Sequence, residues 1–215
     1  MTSRTSSLVR RRRICAILIA LSLLSVTACT GGGTTPGATA APESSSPTAM
    51  PTATPTPTAS YKPADASGRA QNVPVPVLPE AAKAETKEGL EAFARYWFSQ
   101  LNFAYETGDS SGLESVTAPS CEFCSNISSS LTANYASDRW LAGGHIETPS
   151  ISITFEAEAS GQHQVIVQVQ QARISYFEPG GAEFREATEP SDTGNIMLVT
   201  YKGGSWQLVG LHPIR

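Results

Sequence analysis

Cys121 and Cys124 are the residues whose type and spacing most directly suggest chemistry in this chain. A Cys-x-x-Cys pair can be a structural disulfide, a thiol–disulfide redox centre or half of a zinc site. The pair stands at the start of a predicted helix, where the helix dipole stabilises a thiolate and so favours redox chemistry. Redox motifs of this spacing belong to a βαβ setting, and the pattern around this pair is helical on both sides. A structural bridge is therefore preferred, with a redox role as the alternative. Zinc lacks its remaining ligands, because no second cysteine pair follows and His145, His163 and His212 are scattered. No metal or other cofactor is expected. The glycine pairs at 143–144, 180–181 and 203–204 do not join a strand to a helix start, so they give no phosphate cradle.

Helices must carry the pair. Leu90, Phe93, Ala94, Trp97, Leu101, Ala104 and Tyr105 recur at three and four residues, which predicts a long amphipathic helix over 86–107. Gly108 is expected to end it. Asp109 can cap a short second helix that Pro119 closes. Ser120 is placed to cap a third helix, whose inner face holds Cys124, Ile127, Leu131 and Tyr135. Its helical pattern runs on through Asp138 and Trp140 and stops at Gly143-Gly144.

Beyond that point the period becomes two. Ile151, Ile153, Phe155 and Ala157 alternate with polar residues, as in a strand with one buried face. The next strand carries Val165, Val167 and Val169 on odd positions, then Ala172, Ile174 and Tyr176 on even ones. An extra residue near Gln170-Gln171 would reconcile the two phases, so a β-bulge is expected there. Residues 183–192 read as an acidic loop, 195–201 as a central strand, Lys202-Gly203-Gly204 as a hairpin turn and 205–212 as the last strand. Helices followed by a strand meander predict an α+β domain, with N-terminal helices packed on a curved antiparallel sheet.

The chain's beginning has a different character. Arg4 and Arg10 to Arg13 precede a 13-residue apolar run at 14–26. That run suits a secretory signal and is short of the ~20 residues a membrane span needs. Val26-Thr27-Ala28-Cys29 resembles the lipobox of bacterial lipoproteins, which implies cleavage before Cys29 and lipid on its sulfur. The expected organisation is a signal at 1–28, a lipidated cysteine with a disordered Thr/Pro/Ala/Ser-rich tether at 29–72, and one domain at 73–215. Cleavage removes five of the 15 basic residues and none of the 19 acidic ones, leaving a net charge of −9. Such a chain gains nothing from counterion release on DNA or RNA, so nucleic acid is excluded as a partner. An anionic bilayer repels it as well, so the membrane contact must come through Cys29, on the extracytoplasmic face. Cys15 leaves with the signal, so Cys121 and Cys124 remain as the free pair in an oxidising compartment.

The element order and the long bent strand resemble the nuclear-transport-factor-two-like or cystatin-like fold, a cone between helix and sheet. The stretches Asn72-Val73-Pro74-Val75-Pro76, Ala94-Arg95-Tyr96-Trp97, Tyr105-Glu106-Thr107-Gly108-Asp109 and Cys121-Glu122-Phe123-Cys124 resemble an uncharacterised family of actinobacterial lipoproteins. That family brings no known activity. The fold resemblance implies a cone lined by Phe93, Trp97, Tyr105, Tyr135, Asp138, Trp140, His145, Tyr176 and Trp206. The expected function is a non-enzymatic binding module for a protein, a cell-wall component or a small apolar ligand. The alternative is a pocket enzyme of ketosteroid-isomerase type, with Asp138, His145 and Tyr105 as its acid–base groups. A cone filled by Phe93, Trp97, Tyr176 and Trp206 argues against that alternative.

Overall fold

A single long helix lies against one face of an antiparallel sheet. The computed structural model describes residues 59–214. The expected signal, Cys29 and residues 30–58 lie outside them. Helix α1 (Lys87–Thr107) begins where the Thr86 side chain accepts from the Gly89 amide at 3.0 Å. It ends at Gly108, whose φ of 79° only glycine adopts freely. A Cβ on Gly108 would also lie 2.5 Å from the Tyr135 ring. The apolar stripe of α1 is buried as its spacing predicts, from Leu90 through Trp97 to Ala104. Helix α2 (Ser111–Ser115) is a single turn, and α3 (Glu122–Tyr135) follows.

The strands are β1 (Trp140–Gly143), β2 (Ile146–Glu147), β3 (Ile151–Ala157), β4 (Gln162–Gln171), β5 (Ile174–Phe177), β6 (Ser191–Lys202) and β7 (Ser205–Pro213). The large sheet runs β2-β4-β6-β7, with β3 also paired to β4, and β1 and β5 form a sheet of their own. All pairings are antiparallel. The β6–β7 turn has both glycines at positive φ, 63° and 84°, as a tight two-residue hairpin requires. Register shifts in β3–β4 and in β6–β7 bend the sheet around α1. The fold is α+β, with helices on a curved antiparallel sheet.

Two cores result. In the first, Leu90, Phe93 and Trp97 of α1 meet Val165, Val167, Met197, Val199, Trp206 and Leu208 of the sheet. In the second, Leu131 of α3 meets Leu141, Ile174 and Tyr176 of the small sheet, with Ala104 from α1.

The structure corrects four sequence expectations. No bulge lies at Gln170-Gln171, because β4 keeps one register with β6 through Gln171↔Ser191. The phase change is absorbed by a kink instead. Gly143 and Gly144 take φ of 79° and 75°, and β5 leaves the large sheet to pair with β1. Gly144 N–H donates to Arg173 O and Ala172 N–H to His145 O, both at 2.9 Å, so the kinked ribbon stays hydrogen-bonded. Val165 and Val167 thus face the first core, and Ile174 and Tyr176 face the second.

The second correction concerns the end of α3. It stops at Tyr135, and Ser137 and Asp138 take φ of 57° and 61°, so Trp140 opens a strand where a helix was expected. The third concerns the caps. Cys121 rather than Ser120 caps α3, and Asp109 accepts from Ser111 N–H just ahead of α2 while Ser110 takes the cap position.

The fourth correction moves the domain boundary. The expected tether does not reach residue 72, because residues 60–72 are part of the fold. Lys62 and Gln71 exchange backbone hydrogen bonds at 3.0 and 2.9 Å, and Asp65 and Gly68 close the turn. Trp140 Nε1 donates to Asp65 O at 2.8 Å, and Tyr61 Oη donates to Glu106 at 2.8 Å. This polar hairpin shields Trp140, which a tether would leave in water.

Candidate ligand cleft

The two cysteines shape the start of α3. Their sulfurs are joined, with Cα atoms 5.3 Å apart. Cys121 Sγ accepts from the Cys124 amide at 3.3 Å, which satisfies one of the open donors of the first helical turn. Both residues are buried, at 3% exposure, and both line a hollow of about 290 Å³ between α2 and α3. The bridge encloses Glu122 and Phe123. Phe123 is 41% exposed, an unusual place for a phenylalanine in a first helical turn.

Phe123 stands at the junction of two adjoining hollows. One, of about 200 Å³, lies between α1, α3 and the large sheet. Its floor is Phe98, Leu101, Ile146, Val169 and Leu211, and its edge carries Gln171, Thr193 and Asn195. The other, of about 220 Å³, lies between α3 and the small sheet. There Leu131, Leu141, Ile174 and Tyr176 form the floor, and Asn126, Ser130 and Asn134 the edge. Those three are four residues apart, so they share one side of α3 at ~6 Å intervals. Tyr105, Phe123 and Ile127 line both hollows, which therefore form one two-lobed cleft. No charged residue lines these two lobes; a third hollow, of about 480 Å³, also reaches Phe123 and carries Glu122 and His212 on its wall.

Burial pushes the Tyr105 phenol up, against the opposite pull of a hydrogen bond with Gln171. Tyr135, next to the cleft, is pushed up to about 12 by burial. Its hydroxyl donates to Tyr105 O at 2.7 Å and ties α3 to α1.

The residues assigned to the cone from sequence divide among several places. Phe93, Trp97 and Trp206 fill the first core and do not line the cleft. Their indoles are satisfied internally, Trp97 Nε1 by Thr117 at 2.9 Å and Trp206 Nε1 by Ala84 O at 3.0 Å. Tyr176 lies in the second core, and its hydroxyl pairs with Thr188 at 2.8 Å. Trp140 sits under the N-terminal hairpin. Asp138 is a surface residue, its side chain 92% exposed and 3.7 Å from Arg69. His145 is exposed at the kink between β1 and β2. Neither Asp138 nor His145 lines the cleft that Tyr105 lines, so the acid–base trio is not assembled. The sequence reading missed Phe98, Phe123, Ile127 and the neutral edge. Phe123 alone left a signal, as an aromatic residue off the apolar stripe of its helix.

Among the described residues no three His, Cys, Asp or Glu side chains converge as a metal site. No described helix is long and apolar enough to cross a membrane.

Residues 59–212 match one family description over the whole of this domain, hairpin included. The chain belongs to the family of unknown function DUF6318. This DUF6318 domain starts where the polar hairpin starts, in agreement with the corrected boundary. No curated protein matches the chain. Among solved structures it is similar to the intermembrane space region of the chloroplast protein ARC6, at 10% identity and a TM-score of 0.43, covering 60% of this chain and 96% of that one. It is also similar to an uncharacterised protein with a cystatin-like fold from Caulobacter vibrioides, at 14% identity and a TM-score of 0.38, covering 60% and 91%. A domain of unknown function with a cystatin-like fold from Nostoc punctiforme is similar at 17% identity and a TM-score of 0.38, covering 60% and 79%. The α+β assignment rests on this chain's own helices and strands.

Proposed function

We propose that this chain is an actinobacterial lipoprotein, anchored through lipid on Cys29 to the extracytoplasmic face of the cell membrane. Its DUF6318 domain then acts there as a non-enzymatic binding module. The arginine-led apolar segment and Val26-Thr27-Ala28-Cys29 support the anchor. Single acyl chains hold weakly, so the diacylglyceryl group expected on Cys29 provides the second chain.

The observation that carries the binding reading is the uncharged, aromatic-lined cleft around Tyr105, Phe123 and Ile127. An apolar hollow with a few neutral polar groups at its edge is the usual form of a small-molecule site. The ketosteroid-isomerase-type alternative has no comparable support, with Asp138 and His145 both at the surface.

Two experiments test the two halves. Labelling cells with a fatty-acid analogue should mark the wild-type protein and leave Cys29→Ala unlabelled; wild-type protein without label ends the anchor reading. For the cleft, the neutral dye Nile red is titrated against the full chain and against Phe123→Asp. The apolar segment at 14–26 also takes up dye, so the cleft is measured by the uptake that Phe123→Asp removes. Equal uptake by a folded Phe123→Asp variant would sink the binding reading.

A further inference from the structure

We propose that the cleft selects an uncharged amphiphile, a molecule with an apolar body and neutral hydrogen-bonding groups at one end, of the chemical kind of an alkyl glycoside. This deepens the binding reading and rests on it. Charge is the first argument. Lys, Arg, Asp and Glu make up 16% of the chain, yet none lines either lobe. A charged headgroup entering here loses water and finds no counter-charge, which makes its burial costly. Arg185 does not line the lobe but touches two residues that do, stacking 4.1 Å above the Tyr176 ring and donating to Asn134 Oδ1 at 3.3 Å.

The edge is the second argument. Amides offer both donors and acceptors, and hydroxyl groups of a ligand need both. Asn126 and Ser130 are exposed on the side of α3 that borders one lobe. Asn195 is buried, at 6% exposure, at the edge of the other. Asn195 already donates to Thr193 and Ser130 Oγ already accepts from Asn134, so the group a purely hydrocarbon ligand would strip of water and leave unpaired is the Asn126 amide. Shape is the third argument. Each lobe is smaller than the ~300 Å³ at which drug-sized sites begin, so one ring or short chain fits each. The lobe against the large sheet has the larger apolar floor and suits the alkyl part. The neutral head then lies along α3. Phe123, exposed where the lobes join and held between two bridged cysteines, is a platform for the ligand's waist.

Competition on the full chain tests this. Octyl glucoside, held below its micelle-forming concentration, is titrated against the Nile red uptake that depends on Phe123. Octyl sulfate, octyltrimethylammonium and free glucose are run beside it. Octyl glucoside should displace the dye at a concentration about tenfold below either charged octyl compound, and glucose should displace none. The double variant Asn126→Leu with Ser130→Ala should remove most of that tenfold preference, read as the ratio of octyl glucoside to octyl sulfate competition within the same variant. Charged compounds that compete equally well would overturn the proposal, as would a preference that survives the double variant. Either result leaves the cleft as a binding site. Dye uptake indifferent to Phe123→Asp would instead mean that the binding reading itself had failed.

Discussion

The two cores of this domain are closed by different means. In the first, a periodic helix meets a periodic sheet, and Leu90, Ala94, Trp97, Val165, Val167, Met197, Val199 and Leu208 are all fully buried. Side chains of one kind interlock there and need no further cover. The second core is smaller and is sealed by cations on aromatic faces. Arg139 lies 4.3 Å from the centre of the Phe184 ring, Arg185 4.1 Å from that of Tyr176, and Arg69 5.7 Å from that of Tyr135. The N-terminal hairpin adds the last cover through Trp140. Tyr105 and Ile127 pack against both cores, and the cleft opens beside them. The site is thus the seam where two separately closed cores fail to merge. A void at a seam needs no extra element to hold it open, since each side is stabilised by its own packing.

If the cores are independent, breaking each should have different reach. Trp97→Ala removes the largest fully buried side chain and leaves Thr117 without its indole partner. A loss of about 3–5 kcal/mol is expected, with global unfolding in urea. Leu131→Ala in the second core should cost about 2–3 kcal/mol and leave amide exchange in β6 nearly unchanged. Equal loss of protection in β6 from both variants would mean that the two cores unfold as one.

Alkali should separate them next. Burial raises the phenols of Tyr135, which packs against the second core alone, and of Tyr105, which packs against both. A group whose folded pKa is raised contributes stability that is complete below its unfolded value and is lost as pH rises through the folded one. For Tyr135 the window runs from 10.0 to about 12. Two units correspond to about 2–3 kcal/mol, an upper figure for a side chain that is only partly buried. Absorbance at the phenolate band should show α3 loosening in that window before β6 does. Tyr135→Phe should be less stable at neutral pH by about 1 kcal/mol, for the lost hydrogen bond to Tyr105, and should flatten the alkaline loss. An unchanged alkaline profile in Tyr135→Phe would assign the loss to other groups.

The same division governs what sequence could reveal. The stripe of α1 and the alternation of β4, β6 and β7 are local signals, and they locate the first core almost residue by residue. The phase change between Val169 and Ala172 was visible too, but its physical solution lies 28 residues upstream, in the positive φ of Gly143 and Gly144. The hairpin at 60–72 has no apolar periodicity at all. It is held by backbone groups and by Trp140, 75 residues away from Asp65, so composition alone reads it as tether. The cleft is harder still. A hollow is defined by atoms that are absent between distant elements, and pattern reports only those present.

The bridge between Cys121 and Cys124 joins the regions at the cleft, since both cysteines belong to the first core and α3 to the second. Cys121→Ser with Cys124→Ser removes a cross-link that closes a very short loop. The expected loss is about 2 kcal/mol, the low end for disulfides, read as a lowered Tm. Dye uptake through Phe123 should weaken in the same variant before the domain melts. A variant with lowered Tm and full uptake would show that α3 packing alone positions Phe123.

The smallest effect is expected deep in the first region. His163 is 7% exposed, and its Nδ1 is buried without a hydrogen-bond partner among the described residues. The ring stacks on Phe155 at 4.9 Å and meets Trp206 edge-on at 5.5 Å. Phe155 itself has φ of 61°, a left-handed conformation that bulky residues avoid, at the register shift of β3. The imidazole therefore acts as an aromatic slab that holds a strained residue in place, at the cost of one unpaired nitrogen. His163→Phe keeps the slab and removes the nitrogen. It should stabilise the domain by about 1 kcal/mol, which is a rise of roughly 2–4 °C in Tm. His163→Leu also removes the nitrogen but loses the stack, so it should gain less or lose stability. The order Phe, then His, then Leu in thermal melts supports this account. If Leu and Phe stabilise equally, stacking contributes nothing and Phe155 is held by its strand alone. If both destabilise, the nitrogen is satisfied in solution, and the first region is less dry than its packing implies.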